Sequence, residues 1–231
     1  MKKYLLAVMA MLCISTGASA LDNEPEEGLT WQGQVGMNLS NIRGLRGDVK
    51  PGANLGFYGQ YMFENAHGTY VNFGLNYGME GAKRDFITLT AQQGTSKYTT
   101  HYINVPVHLG FQYNVLPELG FFADFGPYFG VGVGGKNKAD YEDDALVDRK
   151  YNIYKANPDV PTDYYQQRFD WGLGFRVGAE YNEHYSLNMG FNWGMTDLLK
   201  DEFRMNYKML TGSQLVNHKN FNFSLTLGYR F

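Results

Sequence analysis

Enzyme chemistry needs groups that exchange protons, attack a substrate or hold a metal, and this chain offers few in a usable pattern. There are five histidines, His67, His101, His108, His184 and His218. A hydrolase needs a nucleophile, a base and an orienting carboxylate in mutual reach. Neither a G-x-S-x-G nor an H-E-x-x-H signature occurs. Only His108 stands inside a stretch where apolar and polar residues strictly alternate. No serine is expected beside it, and Asp124 is expected lower along the same interior. His108 therefore reads as a satisfied interior histidine rather than a catalytic base. The charges within alternating stretches say more. Glu80, Asp124, Asp170, Arg176, Glu180 and Arg230 all hold even-numbered positions on the polar face. Buried charges must pair, so Arg176 and Arg230 are expected to form an interior charge network with Asp124, Asp170 and Glu180. No catalytic residue, cofactor site or metal site is expected, and the distant alternative is a lipid-modifying hydrolase.

The elements that hold these residues are strands. Phe221–Phe231 show the pattern most clearly, with Phe221, Phe223, Leu225, Leu227, Tyr229 and Phe231 on one face and Asn222, Ser224, Thr226, Gly228 and Arg230 on the other. A period of two is that of a β-strand. The same alternation recurs at about 31–42, 53–63, 69–80, 101–115, 120–134, 169–182, 185–196 and 220–231. The connections Glu64–Gly68, Leu116–Leu119 and Asn182–His184 are tight, whereas 43–52, 81–100, 135–168 and 197–219 read as long loops. Tight turns at one end and long loops at the other are the mark of an outer-membrane barrel. Odd positions face outward in this register, and none of them carries Asp, Glu, Lys or Arg. A charge facing mid-bilayer lipid costs about 2–4 kcal/mol. A soluble sandwich would put the apolar face inside, but the opposite face here is Gly, Asn, Ser and Gln, too small and polar for a dry core. The expected fold is all-β, an eight-stranded antiparallel up-and-down transmembrane β-barrel.

Composition agrees. Mean hydropathy is −0.39 although aromatics reach 16% and there are 28 glycines, as expected for strands apolar only on alternate residues. No segment after the N-terminus has eighteen consecutive apolar residues, which excludes a helical membrane protein. A net charge of −3 suggests no nucleic-acid partner. Lys2 and Lys3, the apolar stretch Tyr4–Ile14 and Ala18-Ser-Ala20 spell a signal peptide cleaved after Ala20. Cys13, the single cysteine, leaves with it, which removes disulfides and thiol chemistry. The expected organisation is a signal peptide at 1–20, a periplasmic segment at 21–30 and the barrel at 31–231, located in the bacterial outer membrane. The closing strand is expected to pair with the first near Trp31, with Phe231 as a signal for the barrel-assembly machinery. The other expected partners are outer-membrane lipids and an unidentified surface or secretion partner.

Four ordered segments carry a family resemblance. Tyr102–Tyr113, Gly126-Pro-Tyr-Phe-Gly130, Trp171–Tyr181 and Gly194–Leu198 resemble the PorT-like outer-membrane β-barrel family. The resemblance covers essentially the whole mature chain and implies an eight-stranded barrel, with no single activity. Some such proteins are factors linked to secretion. His108 departs from the plain apolar or small residue often found there, so no site is carried over. Prolines are placed by the resemblance at Pro106 and Pro127, and each removes a ladder donor, so each is expected to mark a bulge or local opening.

Function in this architecture sits on loops. Residues 135–168 hold Tyr141, Glu142, Asp143, Asp144, Tyr164 and Tyr165, a candidate binding surface of tyrosines and acids. The expected role is a non-enzymatic envelope protein, structural or interacting through these loops. A narrow, porin-like channel or an accessory of a secretion system is the alternative.

Overall fold

The computed structural model describes residues 25, 27–64, 66–87, 93–141, 149–155 and 165–231. The expected signal peptide lies outside the described residues. Eight long strands close into a ring: β1 (Gly28–Arg43), β2 (Asp48–Met62), β3 (Thr69–Ile87), β4 (Gln93–Leu116), β5 (Leu119–Tyr141), β7 (Phe169–Tyr181), β8 (Tyr185–Gly194) and β9 (Lys219–Arg230). Each is antiparallel to its sequence neighbour in the ring, and β9 returns to β1 with Gln32 opposite Arg230. The backbone N–H of Phe231 donates to the Trp31 carbonyl at 2.9 Å, at the place expected for closure. Closure matters because lipid offers no partner to an unpaired backbone group.

The alternation has its expected sense. Val35, Leu55, Leu75, Leu109, Phe125, Leu187 and Leu227 stand exposed on the outside, while Gln34, Asn54, Asn72, Gln112, Asn188 and Thr226 are buried inside. Aromatic residues mark both rims of this apolar band. Tyr61, Tyr113, Tyr185 and Tyr229 lie toward the tight turns, and Tyr77, Trp171 and Trp193 lie toward the long connections. The tight turns use left-handed backbone at His67, Gly68, Asn182 and Glu183.

Three regions differ from the sequence expectation. First, much of the expected loops 81–100 and 135–168 is strand, because β3, β4 and β5 run on through 87, from 93 and to 141. Beyond the bilayer the outer face becomes Lys83, Asp85, Thr95 and Lys97, so the apolar–polar contrast that reveals a strand disappears while hydrogen bonding continues. A short ninth strand, β6 (Arg149–Asn152), pairs with the extension of β5. Second, 197–219 contains a helix, α1 (Asp201–Thr211), with Asp201 and Glu202 in its first turn and Lys208 in its last, which suits the helix dipole. Its buried stripe is only Phe203 with half-buried Tyr207, while Met205 and Met209 are exposed, so its periodicity is faint. Third, a bulge places Gly132 opposite Tyr102 but Gly134 opposite His101. The extra residue reverses the facing of β5, so that Asn137 and Ala139 are buried and Lys136 and Lys138 exposed.

Around Pro106 the ladders open without a change of register. Between β3 and β4 the pairing lapses from Phe73–Val107 to Asn76–Asn104, and between β4 and β5 from Pro106–Tyr128 to Leu109–Phe125. The Pro106 expectation thus resolves as a local opening. Pro127 lies in the same β4–β5 lapse, so it too marks a local opening, while it keeps its place opposite Leu173 on β7.

A charge on the lipid face tests this orientation directly. Leu225→Arg should destabilise the folded barrel by about 2–4 kcal/mol if Leu225 lies near mid-bilayer. Urea titration in lipid vesicles, read by the gel shift between folded and heated protein, measures the loss, whereas the interior change Thr226→Ser should leave the midpoint nearly unchanged.

Candidate functional site

Inward positions of the strands stack polar groups in layers along the barrel axis. The lowest layer is near the tight turns. There Arg230 and Glu180 form an ion pair at 2.6 Å, and Gln112 Nε2 donates to Glu180 Oε1 at 3.1 Å. A periplasmic mouth of about 230 Å³ opens below, lined by Thr30, Asn114, Glu180, His184 and Arg230 among others.

The middle layer converges on Asp124. Arg176 donates to Asp124 Oδ2 through Nη2 at 2.6 Å and Nε at 3.0 Å, and the Tyr70 hydroxyl donates to the same oxygen at 2.8 Å. His108 Nδ1 lies 2.8 Å from Asp124 Oδ1. The guanidinium also lies over two rings, 5.4 Å from the centre of Tyr58 and 5.5 Å from that of Phe122. Such cation–π contacts strengthen when desolvated. Gly110 is required here, since a Cβ at that position would run into the Tyr70 ring and Asp124.

The upper layer holds two carboxylates apart from any arginine. Asp170 accepts from the Tyr128 hydroxyl at 3.1 Å and from Asn220 Nδ2 at 2.9 Å. Glu80 accepts from Asn104 and Asn222 at 3.4 and 3.5 Å. Between the middle and upper layers is a polar cavity of about 60 Å³, lined by Asn54, Asn104, Asn188, Asn192, His108 and Arg176 among others. That is room for a few waters.

The five sequence-selected interior charges therefore resolve into two ion pairs, Arg176–Asp124 and Arg230–Glu180, with Asp170 held by neutral donors. One contact was not expected. Asp124 sits opposite Gly110, one step below His108, yet its carboxylate reaches the imidazole. Diagonal neighbours on one face of a sheet are within reach of long side chains. A histidine beside a carboxylate resembles half of a catalytic constellation. Here the carboxylate is already claimed by Arg176 and Tyr70, and His108 Nε2 has no hydrogen-bonding hydroxyl. Among the described residues no three His, Cys, Asp or Glu side chains come together to hold a metal. The arrangement binds strands to one another.

Above the charged layers the interior turns apolar. Ile42, Ala82 and Tyr98, inward residues of β1, β3 and β4, join Leu45, Ile153, Tyr154, Tyr165, Leu198, Leu199 and Phe203 from the long connections in one buried cluster. Gln166, fully buried, ties this roof to the barrel by donating to the Tyr102 hydroxyl at 3.2 Å. Arg204 fastens α1 by pairing with Asp197 and by donating to the Leu215 carbonyl at 2.9 Å. The roof decides the fate of the candidate loop surface. Tyr165 is a core residue, packed on Phe203 with its ring centre 5.5 Å away, and not a presented one. Its burial, with Glu202 nearby, pushes its hydroxyl pKa up. Tyr141 stands at the tip of β5 with its ring against Phe86. Glu142, Asp143, Asp144 and Tyr164 lie outside the described residues. Sequence reasoning missed the roof altogether, although the inward parity of Ile42, Ala82 and Tyr98 was a signal for it.

Residues 19–200 match the model of the outer membrane protein beta-barrel domain family. The chain belongs to that family. It is accordingly a protein of the bacterial outer membrane, with its apolar band in lipid. Among solved structures it is similar to Ail, the attachment invasion locus protein of Yersinia pestis, at 16% identity over 89% of this chain and 100% of that one, with a TM-score of 0.38. OprG from Pseudomonas aeruginosa gives 13% identity over 90% and 98%, with a TM-score of 0.45. Neisserial surface protein A gives 11% over 89% and 98%, with a TM-score of 0.43. Likenesses at this level add nothing to the fold already described. No curated protein sequence matches the chain.

Two measurements probe the site. Arg176→Ala leaves Asp124 buried and unpaired, and should destabilise the barrel by roughly 3–5 kcal/mol. The double change Arg176→Met with Asp124→Asn should recover a large part of that loss in the same urea titration. The roof has a pH dependence through His218, buried above the membrane band. Burial is the largest influence and lowers its pKa to about 4; Asp197 opposes this, and Arg204 and Arg84 reinforce it. Between about 4 and the ordinary 6.5 the unfolded chain binds the proton and the folded one does not, so roof stability is full above pH 6.5 and falls as pH drops toward 4. Hydrogen exchange of α1 should therefore be faster relative to the intrinsic rate at pH 5 than at pH 7.5, with the difference reduced in His218→Asn.

Proposed function

We propose that this protein is a non-enzymatic, closed outer-membrane barrel that works through its extracellular end. The observation that carries the reading is the filled bore. Arg176 on β7 pairs with Asp124 on neighbouring β5 and lies over the rings of Phe122 on β5 and of Tyr58 on β2, on the far side of the ring of strands; Arg230 on β9 pairs with Glu180 on β7; and an apolar roof covers the top. Eight-stranded barrels are narrow enough for side chains to fill them. What remains for interaction is the rim of strand extensions, helix α1 and the connection carrying Tyr141, Glu142, Asp143, Asp144 and Tyr164. Export by a signal peptide cleaved after Ala20 belongs to the same reading, and sequencing the N-terminus of the mature protein checks it.

The four segments that resemble the PorT-like family support a second reading, an accessory of a secretion system. Its signature would be a secretion component crosslinked to the extracellular or periplasmic rim, with loss of exported proteins from a deletion strain. A porin-like role is the opposing case. In planar bilayers the wild-type protein should show no channel openings, while Arg230→Ala with Arg176→Ala should show brief ones. Steady ion current through the wild-type barrel would overturn the closed-barrel reading.

A further inference from the structure

Four lysines stand in one row across four strands. Lys83 on β3 is directly opposite Lys97 on β4, Lys97 is opposite Lys138 on β5, and Lys138 is opposite Lys150 on β6. Residues directly opposite one another share a face, with Cβ atoms about 5 Å apart. Here the face is the outer one, since Lys97 has the parity of exposed Ile103 and Val105, and the β5 bulge turns Lys138 outward to match. The Lys97 and Lys138 side chains are 45% and 50% exposed.

Like charges directly opposite each other destabilise a sheet. Asp140 relieves part of the repulsion, lying 2.9 Å from Lys97 Nζ and 2.6 Å from Lys138 Nζ, and Asp48 faces Lys83 from β2. These two hydrogen bonds, Lys138 first, hold the Asp140 carboxyl below its ordinary pKa. Protection of an open sheet edge accounts for a lysine on β6. It does not account for Lys83, Lys97 and Lys138, whose strands are paired on both sides at this level.

The position of the row indicates what it meets. Lys97 lies six positions beyond Ile103 along β4. At about 3.3 Å per residue and a tilt near 40°, that is roughly 15 Å above the upper part of the lipid-facing band. The side chains project sideways, away from the barrel axis. The neighbour at that height beside an outer-membrane barrel is the sugar layer of the outer leaflet, above the phosphates of the lipid anchor. We propose that the lysine row binds the phosphorylated inner-core sugars of the surrounding lipopolysaccharide. This rests on the reading that the extracellular end is the working surface, and it names one partner of that end.

Binding to the full-length protein in detergent micelles tests the proposal, with three probes: lipopolysaccharide with a phosphorylated core, the same material with the core dephosphorylated, and lipid A without core sugars. The wild type should bind the first at least about tenfold more tightly than the other two. Lys97→Gln with Lys138→Gln should weaken that binding by roughly tenfold or more. Asp140→Asn should tighten it, a gain that a merely structural row would not give. The heat-dependent gel shift confirms that each variant is folded. Equal binding of lipid A and core-bearing material, or an unchanged affinity in the double lysine variant, would overturn the proposal. So would lysine-dependent binding of soluble dextran sulfate without binding of lipopolysaccharide, which would point to a free polyanion. A conducting wild-type barrel would sink the closed-barrel reading and leave this binding intact, whereas failure here with a silent barrel removes only the lipopolysaccharide partner.

Discussion

Closure of the sheet between β1 and β9 is the constraint on which the rest depends. In hydrocarbon an unpaired backbone group costs several kcal/mol, so the strands have to form a ring. The Gln32–Arg230 register and the Phe231–Trp31 hydrogen bond complete it. Once the ring has eight strands, its bore is only as wide as the side chains that fill it. The bore cannot be filled with the apolar groups of an ordinary core, because the strands spend those on the lipid face. It is filled instead with Asn, Gln, Tyr and a small number of charges, and those charges must find one another.

The interior is therefore better understood as a set of clamps than as a reaction site. Asp124 on β5 takes hydrogen bonds from Tyr70 on β3 and Arg176 on β7 and contacts His108 on β4, so four strands meet at one carboxylate. Glu180 and Arg230 tie β7 to β9 near the tight turns. A nucleophile is what turns such a group of residues into a catalyst, and the bonds of Asp124 are committed to holding strands. The same economy explains why the apolar roof forms only beyond the membrane. Above the bilayer no lipid competes for apolar groups, so Ile42, Tyr98 and Phe203 can turn inward and bury one another.

This division also explains what was legible in the sequence. The eight crossings were legible because the bilayer enforces a charge-free outward face, and one parity then assigns every residue. That Arg176 and Arg230 would pair with interior carboxylates followed from that parity and from the need to neutralise buried charge, whereas which carboxylate each takes is set by the register. The contact between His108 and Asp124 did not, because a diagonal reach depends on side-chain length as much as register. The strand extensions were invisible for a different reason. Where Lys83, Thr95 and Lys97 face water, both faces are polar and the period-two signal loses its contrast. The placement of Tyr165 was misjudged because a tyrosine in a long connection looks solvent-bound until a roof exists to bury it.

The β5 bulge links these two regimes. Below it, odd residues face lipid and even residues face the bore; above it, the facing of β5 is reversed. Without the extra residue, Lys136 and Lys138 would point into the roof beside Tyr98 and Ile153, where an unpaired ammonium is costly. With it, Ala139 enters the buried side and the lysines leave it. A single inserted residue thus lets one strand satisfy an apolar outside in the membrane and an apolar inside above it. The lysine row is a consequence of that reversal, since Lys138 joins Lys97 on the outer face only because the strand has changed register between them.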